Sequence, residues 1–239
     1  MPALDNLTLR ERVHDHLKAG ILANRYPPGS VLLEVPLADE LGVSRGPIRE
    51  ALRSLEAEGL VSITPRRGAV VTSLTRRDFL DAYQVRESLE ALGMRLAVPR
   101  LTAAHLDALD ERIAWMEDHA RAADHDGFFE ANSAFHAAFV EAAGNRKLAE
   151  VYRRLMAQMG PYRRPSARLR GNLERSIAEH REIVAAARAG AVGEAVALVT
   201  RHIQVPQQRL EALTEEEFAR ATFGDGTPQA SEEPAATPA

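Results

Sequence analysis

The sequence predicts a mostly α-helical protein in which a small N-terminal domain of helices and one hairpin precedes an all-helical bundle. Ala, Leu, Glu and Arg are abundant and only 5% of the 239 residues are aromatic, a composition that favours helices over sheets. The first 75 residues suggest the order helix, helix, helix, hairpin. After Thr75, nearly all of the chain carries apolar residues at helical spacing.

Bulk composition excludes several classes of function. The net charge of −4 argues against a protein that coats nucleic acid, although it permits a local basic patch. The absence of cysteine excludes disulfides, thiolate metal ligands and a cysteine nucleophile. The N-terminus is charged and amphipathic rather than signal-like, and no apolar window is long enough to cross a bilayer. We therefore expect a cytoplasmic protein with no membrane partner.

Three helices are expected in the N-terminal domain. Apolar spacing predicts the first over residues 9–22, before a Pro-Pro-Gly stop. The segment VPLADELGV predicts a short second helix that ends at Gly42. The third lies in SRGPIREALRSLEAEGL, where Gly46 is the expected N-cap, Pro47 the first helical residue and Gly59 the C-terminal stop.

A small hairpin is expected after these helices. Two β-branched runs, residues 61–64 and 69–72, flank a Pro-Arg-Arg-Gly turn. Three helices followed by a hairpin is the order of a winged helix-turn-helix, whose third helix enters the DNA major groove. Arg66, Arg67 and Gly68 at the hairpin tip are suited to a DNA backbone or a narrow groove.

Basic residues follow one face of the predicted third helix. Arg45, Arg49 and Arg53 recur every four residues, opposite an apolar stripe. Arginine at the start of such a helix can donate two hydrogen bonds to a guanine edge, while Ser44 and nearby backbone N–H groups reach phosphates. Alternatively, the arginines form ion pairs on a solvated face. The acids available on the same helix are Glu50, Glu56 and Glu58.

The remainder of the chain is predicted to be helical up to a C-terminal tail. Helices are expected over residues 75–98, 102–123, 126–143, 145–160, 172–189 and 191–213. Asp126 is the expected N-cap of the third of these, and GPYRRPS at 160–166 is expected to be a loop with Arg163 and Arg164 solvated. The tract 219–239 lacks apolar periodicity and is rich in Pro, Gly and Ala, which predicts disorder.

Three histidines interrupt apolar stripes on separate predicted helices. His136, His180 and His202 each fall on a face that should pack inward, and Asn132 lies one turn before His136. Burying several unpaired imidazoles is costly, and convergence on a divalent metal such as Zn or Ni removes that cost. The alternative is that each is a core histidine bonded to backbone.

The stretch PGSVLLEVPLADELGVSRGPIREALRSLEAEGLVSITPRRGAVV resembles the winged-helix domain of the GntR family of bacterial transcription regulators. The resemblance implies that Arg45 and Arg49 read operator bases, that Ser44 and the backbone near Gly46 touch phosphate, and that Gly68 places the wing in the minor groove. Two positions depart from the family pattern. Many relatives have Thr in place of Gly46, and some have Arg in place of Val35.

The segments VRESLEALGMRLAV, DGFFEANSAFHAAFVEAAGN and IAEHREIVAAARAGAVGEAVALVTRHI resemble the helical ligand-binding (FCD) domain of the FadR-type branch. The resemblance implies a metal beside an effector pocket, held by Asn132, His136, His180 and His202. Many relatives have Asp where this chain has Asn132. Arg86 also matches a family arginine, either as a fork for an effector carboxylate or as a partner of Glu90 one turn away.

These features predict a metabolite-responsive transcription regulator. Residues 1–73 would bind DNA, residues 74–218 would bind effector and metal and form a homodimer, and residues 219–239 would be a tail. The effector is expected to be an organic acid and the DNA a palindromic operator. One alternative is a metal-dependent enzyme, although the acids nearest in sequence, Glu130, Glu179 and Glu182, are expected on other helix faces. A third possibility is a regulator whose histidines are structural only.

Overall fold

A computed structural model describes residues 8–64, 68–167 and 173–223 of the chain. The N-terminal elements are α1 Leu9–Leu22, β1 Val31–Leu32, α2 Glu34–Leu41, α3 Arg45–Glu58, β2 Val61–Thr64 and β3 Gly68–Val71. The helical elements that follow are α4 Arg76–Ala97, a 3-10 turn Val98–Arg100, α5 Ala103–Arg121, α6 His125–Ala142, α7 Arg146–Ala167, α8 Leu173–Arg188, α9 Val192–Glu211 and α10 Glu215–Phe223. The predicted fold class, a winged helix-turn-helix followed by an all-helical bundle, is confirmed.

The N-terminal part packs its helices on a small antiparallel sheet. The strand order is β1-β3-β2, with β2 and β3 forming the wing hairpin. The two-residue strand β1 was not predicted, since so short a strand has no periodicity to detect; it pairs with β3. One apolar cluster unites Leu17 and Ile21 of α1 with Ile48 and Leu55 of α3, all fully buried. This burial fixes which face of α3 remains exposed.

The prediction for the start of α3 was wrong. Ser44 is the N-cap and Arg45 the first helical residue, so Gly46 lies inside the first turn and Pro47 one position further. Proline is tolerated there because the first N–H groups of a helix have no intrahelical acceptor. The predicted stop was correct. Gly59, with φ +79°, ends α3 in the left-handed conformation that favours glycine.

The C-terminal part is a helical bundle organised around α4. This helix packs against α6, α7 and α9, while α5 packs against α6 and α8. The apolar cluster of the bundle is separate from the apolar cluster of the winged part. Ala157 of α7 packs against the cluster of the winged part. The domain boundary near residue 73 remains a prediction. None of the described helices is long and apolar enough to cross a bilayer.

Several predicted features of the bundle were wrong. The segment 160–166 is not a loop, because α7 continues to Ala167. Arg163, expected to be solvated, is buried with its guanidinium carbon 5.0 Å from the centre of the Phe129 ring. The buried side chains of this segment therefore keep it helical despite its prolines. The side chain of Arg164 lies outside the described residues. Asp124, rather than Asp126, caps α6 by accepting a hydrogen bond from the Gly127 N–H.

The C-terminal helix α10 was not predicted. It extends to Phe223, so the first residues of the expected disordered tail are helical, and residues 224–239 lie outside the described part. Phe218 of α10 is buried, with its ring centre 5.6 Å from that of Phe79 and stacked over Tyr162. The Tyr162 hydroxyl accepts a hydrogen bond from the Leu74 N–H, in the segment that joins the two parts. Thus α10 contacts the residues that hold this connection.

Candidate metal centre and DNA-contact surface

The three predicted histidines meet in the interior of the bundle. His136 on α6, His180 on α8 and His202 on α9 each offer a ring nitrogen, and these nitrogens lie within 4.8 Å of one another. All three residues are buried. Helix packing has therefore brought together residues that are up to 66 positions apart in the sequence.

Two carboxylates orient two of the rings. The Nδ1 of His136 lies 2.6 Å from Glu90 Oε2, and the Nδ1 of His202 lies 2.7 Å from Glu179 Oε2. With these Nδ1 protons donated to the carboxylates, each Nε2 carries its lone pair and is available to a metal. A carboxylate behind a metal-binding histidine is the usual way to fix its ring and tautomer. Glu179, expected on another face, instead supports His202 from the neighbouring helix.

The spacing of two of the ring nitrogens fits a tetrahedral ion. The Nε2 atoms of His136 and His180 are 3.3 Å apart. Two nitrogens bound to one tetrahedral Zn²⁺ at about 2.0–2.1 Å would be separated by about 3.3 Å. Burial lowers the pKa of His136 to about 4 and lowers that of His180 well below its usual value. Both rings are therefore neutral at pH 7, as metal binding requires.

Asn132 presents an unsatisfied amide one turn before His136. Its Oδ1 and Nδ2 are both buried and have no hydrogen-bond partner among the described residues. It lies one turn before His136 on the same face of α6. A buried amide without a partner is costly, and coordination through Oδ1 would satisfy the oxygen. The donor set Asn132, His136, His180 and His202 therefore fits a divalent metal such as Zn or Ni.

Glu90 connects three helices behind the cluster. Besides His136, its carboxylate accepts hydrogen bonds from Arg86 Nε at 2.6 Å and from the Tyr152 hydroxyl at 3.0 Å. Burial alone would raise the pKa of Glu90, but Arg86 and His136 outweigh it and hold this pKa well below its usual value. The ion pair that the sequence left open for Arg86 is thus present. Sequence reasoning missed the wider role of Glu90, because only the packing of α4 against α6 and α7 reveals it.

A surface pocket reaches the edge of the histidine cluster. His202 and Glu179 line it together with Arg175 and Arg209. The arginines make the opening attractive to an anion. The pocket has a volume of only about 40 Å³, and Arg175 is paired with Glu179 at 2.8 Å, so a ligand larger than a water molecule needs the pocket to widen before it reaches His202.

The arginines of α3 are exposed, as predicted, but their partners differ from those expected. The side chains of Arg45 and Arg49 are 61% and 48% exposed, and both bond to Glu34 at the start of α2. Only Arg53 forms a predicted pair on its own helix, with Glu50 at 3.2 Å. The other two acids bond elsewhere: Glu56 to the Ile63 N–H, and Glu58 to His14 and Lys18.

The other predicted DNA contacts differ in how far the structure describes them. The Ser44 hydroxyl makes no capping hydrogen bond and so is available to an external acceptor. Gly46 is exposed, and a Cβ there would meet nothing within 4 Å. Gly68 has φ +89°, and a Cβ there would lie 3.0 Å from Leu33 Cδ2, so this position requires glycine. Arg66 and Arg67 lie outside the described residues.

The winged domain exposes arginines on its third helix, and the helical bundle that follows buries a histidine cluster. The winged helix-turn-helix is the architecture of a DNA-binding regulator. The family model "FCD domain" matches residues 81–205, and the model "Bacterial regulatory proteins, gntR family" matches residues 9–71. The chain therefore belongs to the GntR family of transcriptional regulators, in the branch that carries an FCD domain.

Individual relatives agree with this assignment. The chain is 34% identical to the HTH-type transcriptional regulator YdhC of Bacillus subtilis over 140 residues, which span 56% of this chain and 61% of that protein. It is 31% identical over 152 residues to the probable D-xylose utilization operon transcriptional repressor of Paenarthrobacter nicotinovorans, spanning 64% and 67% of the two chains. The structure of Escherichia coli McbR/YncC shares the fold, with a TM-score of 0.74 at 24% identity over 86% of this chain and 98% of that one. Because the chain belongs to a family of transcriptional regulators, the alternative of a metal-dependent enzyme was wrong.

Proposed function

We propose that this GntR-family regulator binds a palindromic operator as a homodimer, and that a small organic acid bound beside a divalent metal controls its affinity for DNA. The observation that carries the proposal is the convergence of His136, His180 and His202 inside the bundle of a chain whose winged part exposes Arg45 and Arg49. Such a regulator needs a site that recognises a ligand and a surface that recognises DNA. The histidine cluster is the candidate for the first, and the exposed arginines of α3 are the candidates for the second.

In the DNA-binding half of the proposal, α3 lies in the major groove. Arg45 and Arg49 contact base edges, because their guanidinium groups are exposed on the face opposite the core. Ser44 and the backbone at Gly46 contact phosphate at the N-terminus of the helix. The wing, with Arg66, Arg67 and Gly68, follows the adjacent backbone or minor groove.

In the ligand-binding half, Asn132 and the three histidines hold the metal. An effector carboxylate oxygen would then be a fifth ligand of the metal that these four residues hold, since Zn²⁺ sites can expand from four to five ligands. Glu90 and Glu179 keep two of the rings in the required tautomer. Arg86 remains a candidate for a direct effector contact through the guanidinium nitrogens that Glu90 does not use.

Helix α7 offers a route between the two sites. Tyr152 bonds to Glu90 behind the histidines, and Ala157 on the same helix packs against the winged core. A Cβ at Gly59, the residue that ends α3, would meet Gln158 of α7. An effector changes DNA affinity only if it binds two arrangements of these parts with different affinity. Two positions of α7 relative to the winged core would be such a pair of arrangements.

Thermal unfolding with a panel of small organic acids, with and without Zn²⁺ or Ni²⁺, tests the ligand half. A metal-dependent ligand is expected to raise the unfolding temperature and then to change binding to operator fragments recovered from genomic DNA. If no acid stabilises the metal-loaded protein, the effector half is wrong. If Arg45→Ala, Arg49→Ala and the wing variants Arg66→Ala and Arg67→Ala all bind the operator as tightly as wild type, the DNA-contact assignment is wrong.

A regulator with purely structural histidines is the second candidate. The observation favouring it is that Glu90 and Glu179 already bond to the Nδ1 atoms of His136 and His202. Metal analysis of protein purified without a polyhistidine tag separates the two cases. About one ion per chain supports the metal centre, and less than about a tenth of that, even after incubation with Zn²⁺, supports the structural role.

A further inference from the structure

Glu34 links both predicted base-reading arginines. It is the first residue of α2, and its carboxylate accepts hydrogen bonds from Arg49 Nε and Arg49 Nη2, each at 2.9 Å, and from Arg45 Nη2 at 3.2 Å. We infer that Glu34 is a specificity-determining residue, which orients these arginines for bases and opposes their capture by phosphates. This inference rests on the proposed role of Arg45 and Arg49 in DNA recognition.

The pattern of hydrogen bonds determines what Arg49 can offer to DNA. A guanidinium has two edges that can bond to a pair of acceptors, one formed by Nε and Nη2 and the other by Nη1 and Nη2. Glu34 occupies the first edge of Arg49. The second edge stays available and matches the O6 and N7 acceptors of guanine. Arg49 is therefore prepared for one bidentate contact in a fixed orientation.

Arg45 is held less completely. Only its Nη2 bonds to Glu34, so Nε and Nη1 remain available. Its side chain is 61% exposed, against 27% for Glu34. The carboxylate thus lies beneath the two guanidinium groups and limits the rotamers that they can adopt. Restricting an arginine before binding reduces the conformational entropy lost when it contacts a base.

The charge of Glu34 also favours bases over phosphates. Binding to the DNA backbone depends on the net positive charge that a surface brings to it, whatever the sequence. Arg45 and Arg49 together with Glu34 bring one net positive charge instead of two. The carboxylate therefore weakens binding to any duplex, while the oriented fork recovers affinity only where guanine is correctly placed. Arg45 and Arg49 also hold Glu34 in its ionised form.

Two variants of Glu34 and one control separate orientation from charge. Glu34→Gln removes the charge, whereas Glu34→Asp keeps it and shortens the side chain by one methylene. Glu50→Gln removes the same charge from α3; Glu50 acts on Arg49 through its charge but bonds to Arg53. Each full-length variant is titrated against the operator selected by wild type from a random-sequence library and against a scrambled duplex. Fluorescence anisotropy over a salt series gives both dissociation constants.

The expected result is a loss of discrimination in both Glu34 variants. The ratio of the scrambled to the operator dissociation constant should fall by about tenfold in Glu34→Gln and in Glu34→Asp, the size of one bidentate base contact. In Glu50→Gln it should stay within about twofold of wild type. Selection with Glu34→Gln should also relax the base preference at the position that Arg49→Ala relaxes. Urea unfolding confirms that each variant is folded before titration.

Three results would overturn the inference. A ratio unchanged in Glu34→Asp would assign the effect to charge alone. An equally large fall of the ratio in Glu34→Gln and in Glu50→Gln would also assign the effect to charge alone. If Glu34→Gln binds the operator and the scrambled duplex more tightly by the same factor, Glu34 only withholds the arginines from DNA. By contrast, if Arg49→Ala leaves operator binding unchanged, the proposed DNA contact itself fails.

Discussion

Tyr152 on α7 donates a hydrogen bond to Glu90 on α4 across 3.0 Å of buried interior. The same carboxylate bonds to His136, so a single residue separates the histidine cluster from the helix that contacts the winged domain. We expect Tyr152→Phe to abolish most of the effect of the ligand on operator affinity, while Zn²⁺ affinity changes by less than about threefold. Operator titrations with and without ligand measure the first quantity, and calorimetric Zn²⁺ titration measures the second.

Tyr26→Phe serves as a control for the Tyr152 variant, because the Tyr26 hydroxyl lies 3.5 Å from Glu40 at the protein surface. It should leave ligand coupling unchanged. Full coupling retained in Tyr152→Phe would show that the signal passes by another route.

Breaking the buried pair of Arg86 and Glu90 should destabilise the bundle strongly. Glu90→Gln leaves Arg86 buried with a weaker partner, and we expect the free energy of unfolding to fall by about 3–5 kcal/mol. The double variant Arg86→Met with Glu90→Gln should lose less than the sum of the single variants, because neither charge is then left alone. Urea unfolding of the four proteins measures this coupling. Strict additivity would mean that the two groups do not interact.

Asn132 provides a test of the metal centre that adds a ligand rather than removing one. Asn132→Asp should tighten Zn²⁺ binding by about tenfold or more, because a carboxylate adds charge attraction to the donor oxygen. Without metal, the same variant buries a carboxylate near neutral rings and should unfold at a lower temperature than wild type. Thermal unfolding in chelator and in Zn²⁺ measures both effects. A variant that is destabilised equally in both conditions would place residue 132 outside the metal site.

Loss of a histidine should have the opposite effect on metal binding. We expect His180→Ala to weaken Zn²⁺ binding by more than about 100-fold, since a tetrahedral site loses one of its nitrogen donors. His125→Ala, at an exposed position at the start of α6, is the matched control and should bind Zn²⁺ like wild type. Similar affinities for the two variants would argue for structural histidines.

The Glu34 ion pairs should make part of the stability dependent on pH. Hydrogen bonds from Arg49, with Arg45, lower the pKa of Glu34 to about 2 in the folded protein, below the value of about 4.3 expected when unfolded. A lowered folded pKa stabilises the protein above the unfolded pKa, and this contribution disappears as the pH falls towards 2. The difference in unfolding free energy between wild type and Glu34→Gln should therefore be constant above about pH 5 and shrink below it. A difference independent of pH would mean that the ion pairs add no stability.

The winged domain was largely predictable because its signals are local. Apolar spacing, Gly42 and Gly59 marked the ends of two helices, and both glycines have positive φ. The pairing of Glu34 with Arg49 was not predictable, because these residues are 15 positions apart on helices whose crossing no periodicity specifies. The prolines of α7 suggested a loop, yet Tyr162 and Arg163 are buried there and the helix continues. In that segment, tertiary packing outweighed local propensity.

In the candidate metal centre, too, the residues with a local sequence signal were predicted and those that depend on packing were not. Interrupted apolar stripes identified the three histidines, and the structure brings their nitrogens together. Glu90 and Glu179 could not be assigned, because a carboxylate that supports a ring from another helix has no fixed spacing from it in sequence. The unpartnered amide of Asn132 was likewise visible only once its surroundings were known.

Helix α10 lies beyond residues 81–205, the part of the bundle that the family model matches. Phe218 nevertheless forms one side of the aromatic group that includes Tyr162, whose hydroxyl holds the backbone of Leu74. Removing the residues from Thr214 onward would expose the Tyr162 and Phe79 rings to water and weaken the contact that holds the segment between the two domains. A truncated protein should therefore keep α10, because removing this helix would destabilise the segment at Leu74 that joins the bundle to the DNA-binding domain.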